Sequence, residues 1–83
     1  MTKRYTMKLD IISPEKLLYR GDAESVTLPG LQGSFTILEN HAPIISGLSK
    51  GIIEYHHAGK EDFLEIAGGF VEAKNNVVSI CVE

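Results

Sequence analysis

Apolar residues recur at every second position through most of the chain. Met7, Leu9 and Ile11 alternate with Lys8 and Asp10, and Val26 and Leu28 flank Thr27. The same spacing returns at Phe35 and Ile37, Ile53 and Tyr55, Leu64 and Ile66, and Val78, Ile80 and Val82. A period of two places such residues on one face of an extended strand, so the pattern predicts strands with one buried side. Turn chemistry separates the runs: Ser13-Pro14, Gly21-Asp22, Pro29-Gly30, Glu39-Asn40, Ser49-Lys50-Gly51, Ala58-Gly59-Lys60, Gly68-Gly69 and Asn75-Asn76. Turn signals about every 8 to 12 residues, with no amphipathic segment of helix length, predict an all-β sandwich or barrel. The short run from Pro14 to Tyr19 is the one rival for a helical turn, and it is too short to stand alone. Without repeat, linker or low-complexity segment, the expected organisation is one β-sandwich domain over residues 1–83.

Size and charge narrow the function. A chain of 83 residues leaves little room for a deep pocket beside a core, so association with a partner is expected. Eight basic against eleven acidic residues give a net charge of −3 with no basic stripe, which argues against nucleic-acid binding. The single cysteine, Cys81, excludes an internal disulfide, fits a reducing compartment and reads as a small packed residue. The N-terminus lacks the apolar run of a signal peptide, and no stretch is long and apolar enough for a membrane helix. Contact with a membrane is therefore expected only through a partner complex.

The stretch from Leu28 to Gly51 holds the residues that most resemble a site. Gly30 and Gly33 hint at a phosphate loop, but neither the Lys-Ser/Thr pair nor the helix that such a loop needs follows them; a turn is expected. His41 has Glu39 as a candidate orienting carboxylate, but no serine or cysteine stands out as a nucleophile, so a packed or interface histidine is expected. His56 and His57 are neighbours on a predicted strand, point to opposite faces and are poorly placed to share a metal. Gly68-Gly69 reads as a bulge or a close backbone approach. No catalytic residues, metal or cofactor are expected. Two classes stay open on these grounds: a binding module in an assembly, or a small β-sandwich ligand carrier or adaptor. The carrier needs an open apolar pocket with convergent polar groups, so the assembly module is favoured.

An ordered set of residues carries a resemblance. Leu9-Asp10, Ser13-Pro14, Gly33, His41-Ala42-Pro43, Gly51 and Gly68-Gly69 stand in a spacing that resembles the N-terminal domain of the epsilon subunit of the rotary, F-type ATP synthase, from about Met7 to Val82. The resemblance implies a sandwich of two antiparallel sheets of about five short strands each. It implies a non-catalytic subunit of the central stalk, the rotor. That subunit joins gamma to the ring of c subunits and, through the assembled complex, meets alpha and beta at the cytoplasmic face of the bacterial plasma membrane. By the same resemblance Ser13, His41, Ala42, Pro43 and Ser46 face gamma, and Gly33 and Ser34 face the c ring. Many relatives carry an acidic residue where this chain has Ser34, and Glu39 is the expected substitute charge. The family commonly continues into a C-terminal helical arm that inhibits ATP hydrolysis. The 83 residues hold no such arm, so coupling without autoinhibition is the expectation.

Overall fold

The computed structural model describes residues 6–83. Nine strands fill those residues: β1 (Met7–Ile12), β2 (Leu17–Ala23), β3 (Ser25–Gly30), β4 (Gly33–Leu38), β5 (Ile44–Leu48), β6 (Gly51–His57), β7 (Lys60–Ile66), β8 (Gly69–Lys74) and β9 (Val77–Val82). No helix is present among the described residues, and the segment that rivalled as a helical turn enters β2 instead.

Five strands pair in the order β2-β1-β9-β8-β5, and four pair as β4-β3-β6-β7. One residue pair, Gly30 with Leu48, joins the two ladders into a continuous sheet that curls on itself. The expectation of an all-β sandwich holds, with two differences in detail. The strands number nine among the described residues, and β1 runs parallel to β9 with Leu9 opposite Val78 and Ile11 opposite Ile80. That pair unites the first and last strands, which no hairpin connects, so neither turn chemistry nor local alternation announces it.

Alternation explains the packing. Leu9, Ile11, Val26, Leu28, Ile53, Val71 and Ile80 are fully buried and form one core with Met7, Ile37, Val78 and Val82. Lys8, Ile12, Thr36, Ile52, Phe70 and Glu72 lie exposed on the outer faces. No polar or charged residue is buried among those described. Apart from Tyr55 the core side chains carry no donor or acceptor, and the buried backbone groups are paired in the ladders, so burial of apolar surface is the core's leading source of stability.

Because successive strands reverse, the loops gather at two ends. At one end Gly30, Leu48, Gly69 and Val82 line up in register across four strands, beside the β3–β4 turn and the Ser13–Lys16 loop. At the other lie the β4–β5 loop, the Ala58-Gly59 turn and the Asn75-Asn76 turn. Positive φ at both residues of each of these two turns, 51° and 75°, then 53° and 61°, matches the right-handed twist of the strands that they join.

Candidate functional site

Gly30 and Gly33 close the two-residue turn between β3 and β4. Gly33 has φ of 122°, a conformation open to glycine, so its identity is set by the turn and not by an anion. At Gly69, φ is 152° and an added Cβ would collide with the Cys81 carbonyl. This is the close approach that the Gly68-Gly69 pair predicts.

The β4–β5 loop is held by a clasp. Asn40 adopts φ of 63°, and its backbone N–H donates to the Asn76 side-chain oxygen at 2.6 Å. The Asn76 amide donates back to Asn40 Oδ1 at 3.1 Å, and the Asn76 carbonyl accepts from Lys8 N–H at 2.8 Å. His41 N–H bonds the Leu38 carbonyl at 3.1 Å, completing the turn. His41, Ala42 and Pro43 are thereby presented, all exposed, on a fixed support. His41 Nδ1–H donates to the Ala42 carbonyl at 2.6 Å. Among the described residues no serine, cysteine or carboxylate side chain bonds the ring, and no base–nucleophile pair forms there.

Past Pro43 the chain enters β5, where Ile44 packs against the core and Ile45 is 76% exposed. Adjacent isoleucines face opposite sides, as alternation requires. Ser46 is half-buried on the inward side, its hydroxyl donating to the Gly47 carbonyl at 3.0 Å. Ser13 caps its own loop: its hydroxyl accepts from Lys16 N–H at 3.3 Å and donates to the Lys16 carbonyl at 3.2 Å.

The structure divides the expected site residues between the two ends. Ser13, Gly33 and Ser34 lie at the glycine-rich end, Glu39, His41, Ala42 and Pro43 at the asparagine-clasped end, and Ser46 between them on β5. Glu39 therefore cannot stand in for a charge at Ser34. The five steps of chain from Ser34 to Glu39 along β4 separate them by roughly 17 Å at about 3.3 Å per residue.

Sequence reasoning missed an outward apolar row. Ile12 pairs with Cys81, Cys81 with Phe70, and Phe70 with Gly47. Phe70 is 52% exposed and Cys81 is half-buried between its neighbours, on the outer face and not in the core. The row crosses the same face that carries Ile45 one pleat away.

On the outer face of the four-stranded ladder His56 Nε2 meets Glu54 at 2.7 Å and Glu61 at 3.8 Å. The hydrogen bond that His56 donates to Glu54, joined by the charges of Glu61, Glu54 and Glu24, raises the His56 pKa above its ordinary 6.5 despite an opposing effect of burial. These three groups could hold a metal ion, their donor atoms lying within 4.8 Å of one another. His57 takes no part in that cluster. It packs on the other side with Tyr19 and Tyr55 and bonds Asp62 at 2.5 Å. Burial is the leading cause that raises both tyrosine pKa values above 10.0, with the Asp22 and Asp62 charges adding for Tyr19.

These features define a small β-sandwich with a solid apolar interior, a rigidly held loop and no catalytic cluster among the described residues. Comparison with known proteins makes the class specific. Residues 6–83 match the family model of the ATP synthase delta/epsilon chain, beta-sandwich domain, and the chain belongs to this family. It is 46% identical over 77 residues to the ATP synthase epsilon chain of Leptospira interrogans (strain Fiocruz L1-130), covering 93% of this chain and 61% of that relative. To the ATP synthase epsilon chain of Chlorobium limicola it is 40% identical over 77 residues, covering 92% and 88%. The chain thus spans about three fifths of the length of the Leptospira relative. A chain in the mitochondrial ATP synthase of Euglena gracilis superimposes with a TM-score of 0.89 at 22% identity, covering 99% of this chain and 53% of that one, and so shares the fold.

Proposed function

We propose that the chain is a non-catalytic rotor subunit of the central stalk of F-type ATP synthase, a joint between the gamma subunit and the membrane c ring. The observation that carries this reading is the family match over residues 6–83, together with relatives named as epsilon chains. The physics is compatible with the role: a close-packed sandwich has low compressibility and transmits torque without yielding. Alpha and beta are met through the assembled complex. The chain sits peripherally on the cytoplasmic face of the bacterial plasma membrane, held there by its partners.

Gamma lies along the β5 side, from His41-Ala42-Pro43 past Ser46 and across the outer face toward Ser13. Ile45, Phe70 and Ile12 supply apolar surface to that contact, their exposures of 76%, 52% and 39% marking a patch that a partner covers. Gly33 and Ser34, at the tip beyond the β3–β4 turn, reach the c ring without the acidic side chain of many relatives.

Co-expression of the tagged chain with gamma, alpha and beta tests the reading, gamma being expected in the purified complex. The adjacent isoleucines refine it. Ile44→Glu should lose cooperative unfolding, because it places a charge against the core. Ile45→Glu should fold like the parent and lose gamma. If Ile45→Glu retains gamma at parental affinity, the docking face lies elsewhere.

A further inference from the structure

Four strands end the two ladders, and their outer edges differ in protection. An exposed edge offers unpaired N–H and C=O groups to any other strand, and proteins defend such edges with charge, proline, bulges or short length. On β2 stand Arg20 and Asp22, and on β7 Lys60, Glu61, Asp62 and Glu65. The five residues of β5 follow Pro43, and Leu31 closes its far end by bonding the Gly47 carbonyl at 3.2 Å. β4, with the sequence GSFTIL, has six residues, no charge, no proline and no bulge in its register with β3.

The alternation of the ladder shows which groups are free. Gly30 and Gly33 close the hairpin, so Gly33, Phe35 and Ile37 bond β3 while Ser34 and Thr36 turn their backbone groups outward. The Leu38 carbonyl, next in that outward series, is already taken by His41 N–H. A groove of about 520 Å³ runs beside Ser34 and Phe35 and is walled on its far side by Ile44, Ile45, Ser46 and Gly47.

We propose that the outer edge of β4 is a strand-addition site: an extended segment of the stalk partner lies in this groove and pairs its main chain with Ser34 and Thr36. The inference rests on the rotor reading above. Unpaired, alternating donors and acceptors are matched by extended main chain and not by a helix. The uncharged edge selects a segment that is itself uncharged along the paired stretch. Glu54 stands two strands away on the outer face, about 10 Å, on the order of a Debye length, so basic residues flanking that segment are favoured. A second copy of the chain is a poorer occupant. It brings another net charge of −3 and the same acidic strands into one sheet. The groove also continues directly into Ile45 and Ser46, which the proposed gamma contact already includes.

Amide hydrogen exchange of this chain, alone and in complex with co-expressed gamma, tests the site. The Ser34 and Thr36 amides should exchange freely in the isolated chain and slow at least about tenfold in the complex, a change that side-chain docking does not produce. Thr36→Pro removes an outward N–H and, on the β3 side, only the hydroxyl bond to Thr27 at 2.9 Å, leaving the backbone ladder in place, and should weaken the complex about tenfold. Thr36→Lys is the companion variant, which loses the same exposed hydroxyl bond to Thr27 but keeps the backbone N–H and adds a charge on the edge, and it should weaken binding while melting within a few degrees of the parent. A complex in which both amides still exchange as in the free chain overturns strand addition and leaves the rotor reading standing. Absence of any complex with gamma sinks both. A dimer of the chain in sedimentation that protects the same amides shows a second copy to be the occupant and overturns the choice of partner.

Discussion

The two ends of the sandwich are closed by different chemistry. At one end the backbone itself makes the joint: Gly30, Leu48, Gly69 and Val82 stand in register, and Gly69 approaches the Cys81 carbonyl too closely for a side chain. At the other end side chains do the work, through the Asn40–Asn76 clasp and the carboxylates around His56. Steric closure tolerates almost no substitution, because a collision with backbone is relieved only by moving strands. Hydrogen-bonded closure is graded, since each bond adds on the order of 1 kcal/mol and can be lost singly. The glycine end is therefore expected to behave as all-or-none, and the asparagine end to be adjustable.

Gly69→Ala breaks the comparison most severely. The new Cβ collides with the Cys81 carbonyl, and φ of 152° is hostile to any L side chain. The expected cost is at least about 3 kcal/mol. A domain of this size commands roughly 4 to 12 kcal/mol, so the variant should melt far below the parent or fail to fold. Thermal unfolding followed by circular dichroism measures it. A melting temperature within a few degrees of the parent would show that the row of strands can shift, and the claim of a rigid end would fall.

Asn76 probes the other end in two steps. Alanine removes the side-chain bonds and also sits poorly at φ of 61°, whereas glycine removes the bonds and accepts the backbone. Asn76→Ala should cost about 2 kcal/mol and Asn76→Gly about 1 kcal/mol. Denaturant titration of both separates backbone strain from the clasp. Equal losses in the two variants would assign the whole effect to the side chain. Asn76→Gly should also raise hydrogen exchange at Asn40, whose amide then lacks its acceptor.

The contrast also marks what was legible in the sequence. Alternation identified the core faces, among them those of Leu9, Ile11, Ile53 and Ile80. Glycine pairs announced the tight end, because few other reasons require that residue in a strand run. The clasp was hidden: Asn40 and Asn76 were both readable as turn residues, but they are 36 positions apart, and only the fold brings one turn against the other. The β1–β9 pair was hidden for the same reason. Phe70 escaped notice because an outward aromatic breaks alternation without saying what covers it. Glu39 and Ser34 are near neighbours in sequence that β4 holds far apart. Five positions in a helix turn back on themselves, but in a strand they run straight to the far end of the molecule.

The smallest effect expected belongs to pH, and it belongs to one end only. His56 has a raised pKa, first through its hydrogen bond to Glu54 and then through the charges of Glu61, Glu54 and Glu24, which face it from β6, β7 and the β2–β3 connection. The folded state thus binds this proton more tightly than the unfolded chain, whose histidine titrates near the ordinary 6.5. By linkage the resulting stability is fully present below about 6.5 and is lost as pH rises through the higher folded value. The loss should be slight, because the group lies at the surface and solvent screens the pair. Melting temperature measured at intervals from pH 5.5 to 8.5, an approximate window chosen to span that transition, should fall gently above 6.5 in the parent. His56→Gln should flatten the decline while leaving hydrogen exchange at Gly69 unchanged, since the glycine end contains no partner for this proton. A parent whose stability rises across the same interval would reverse the sign and remove His56 as its cause. A variant that also loosened Gly69 would show that the two ends are coupled and not independent.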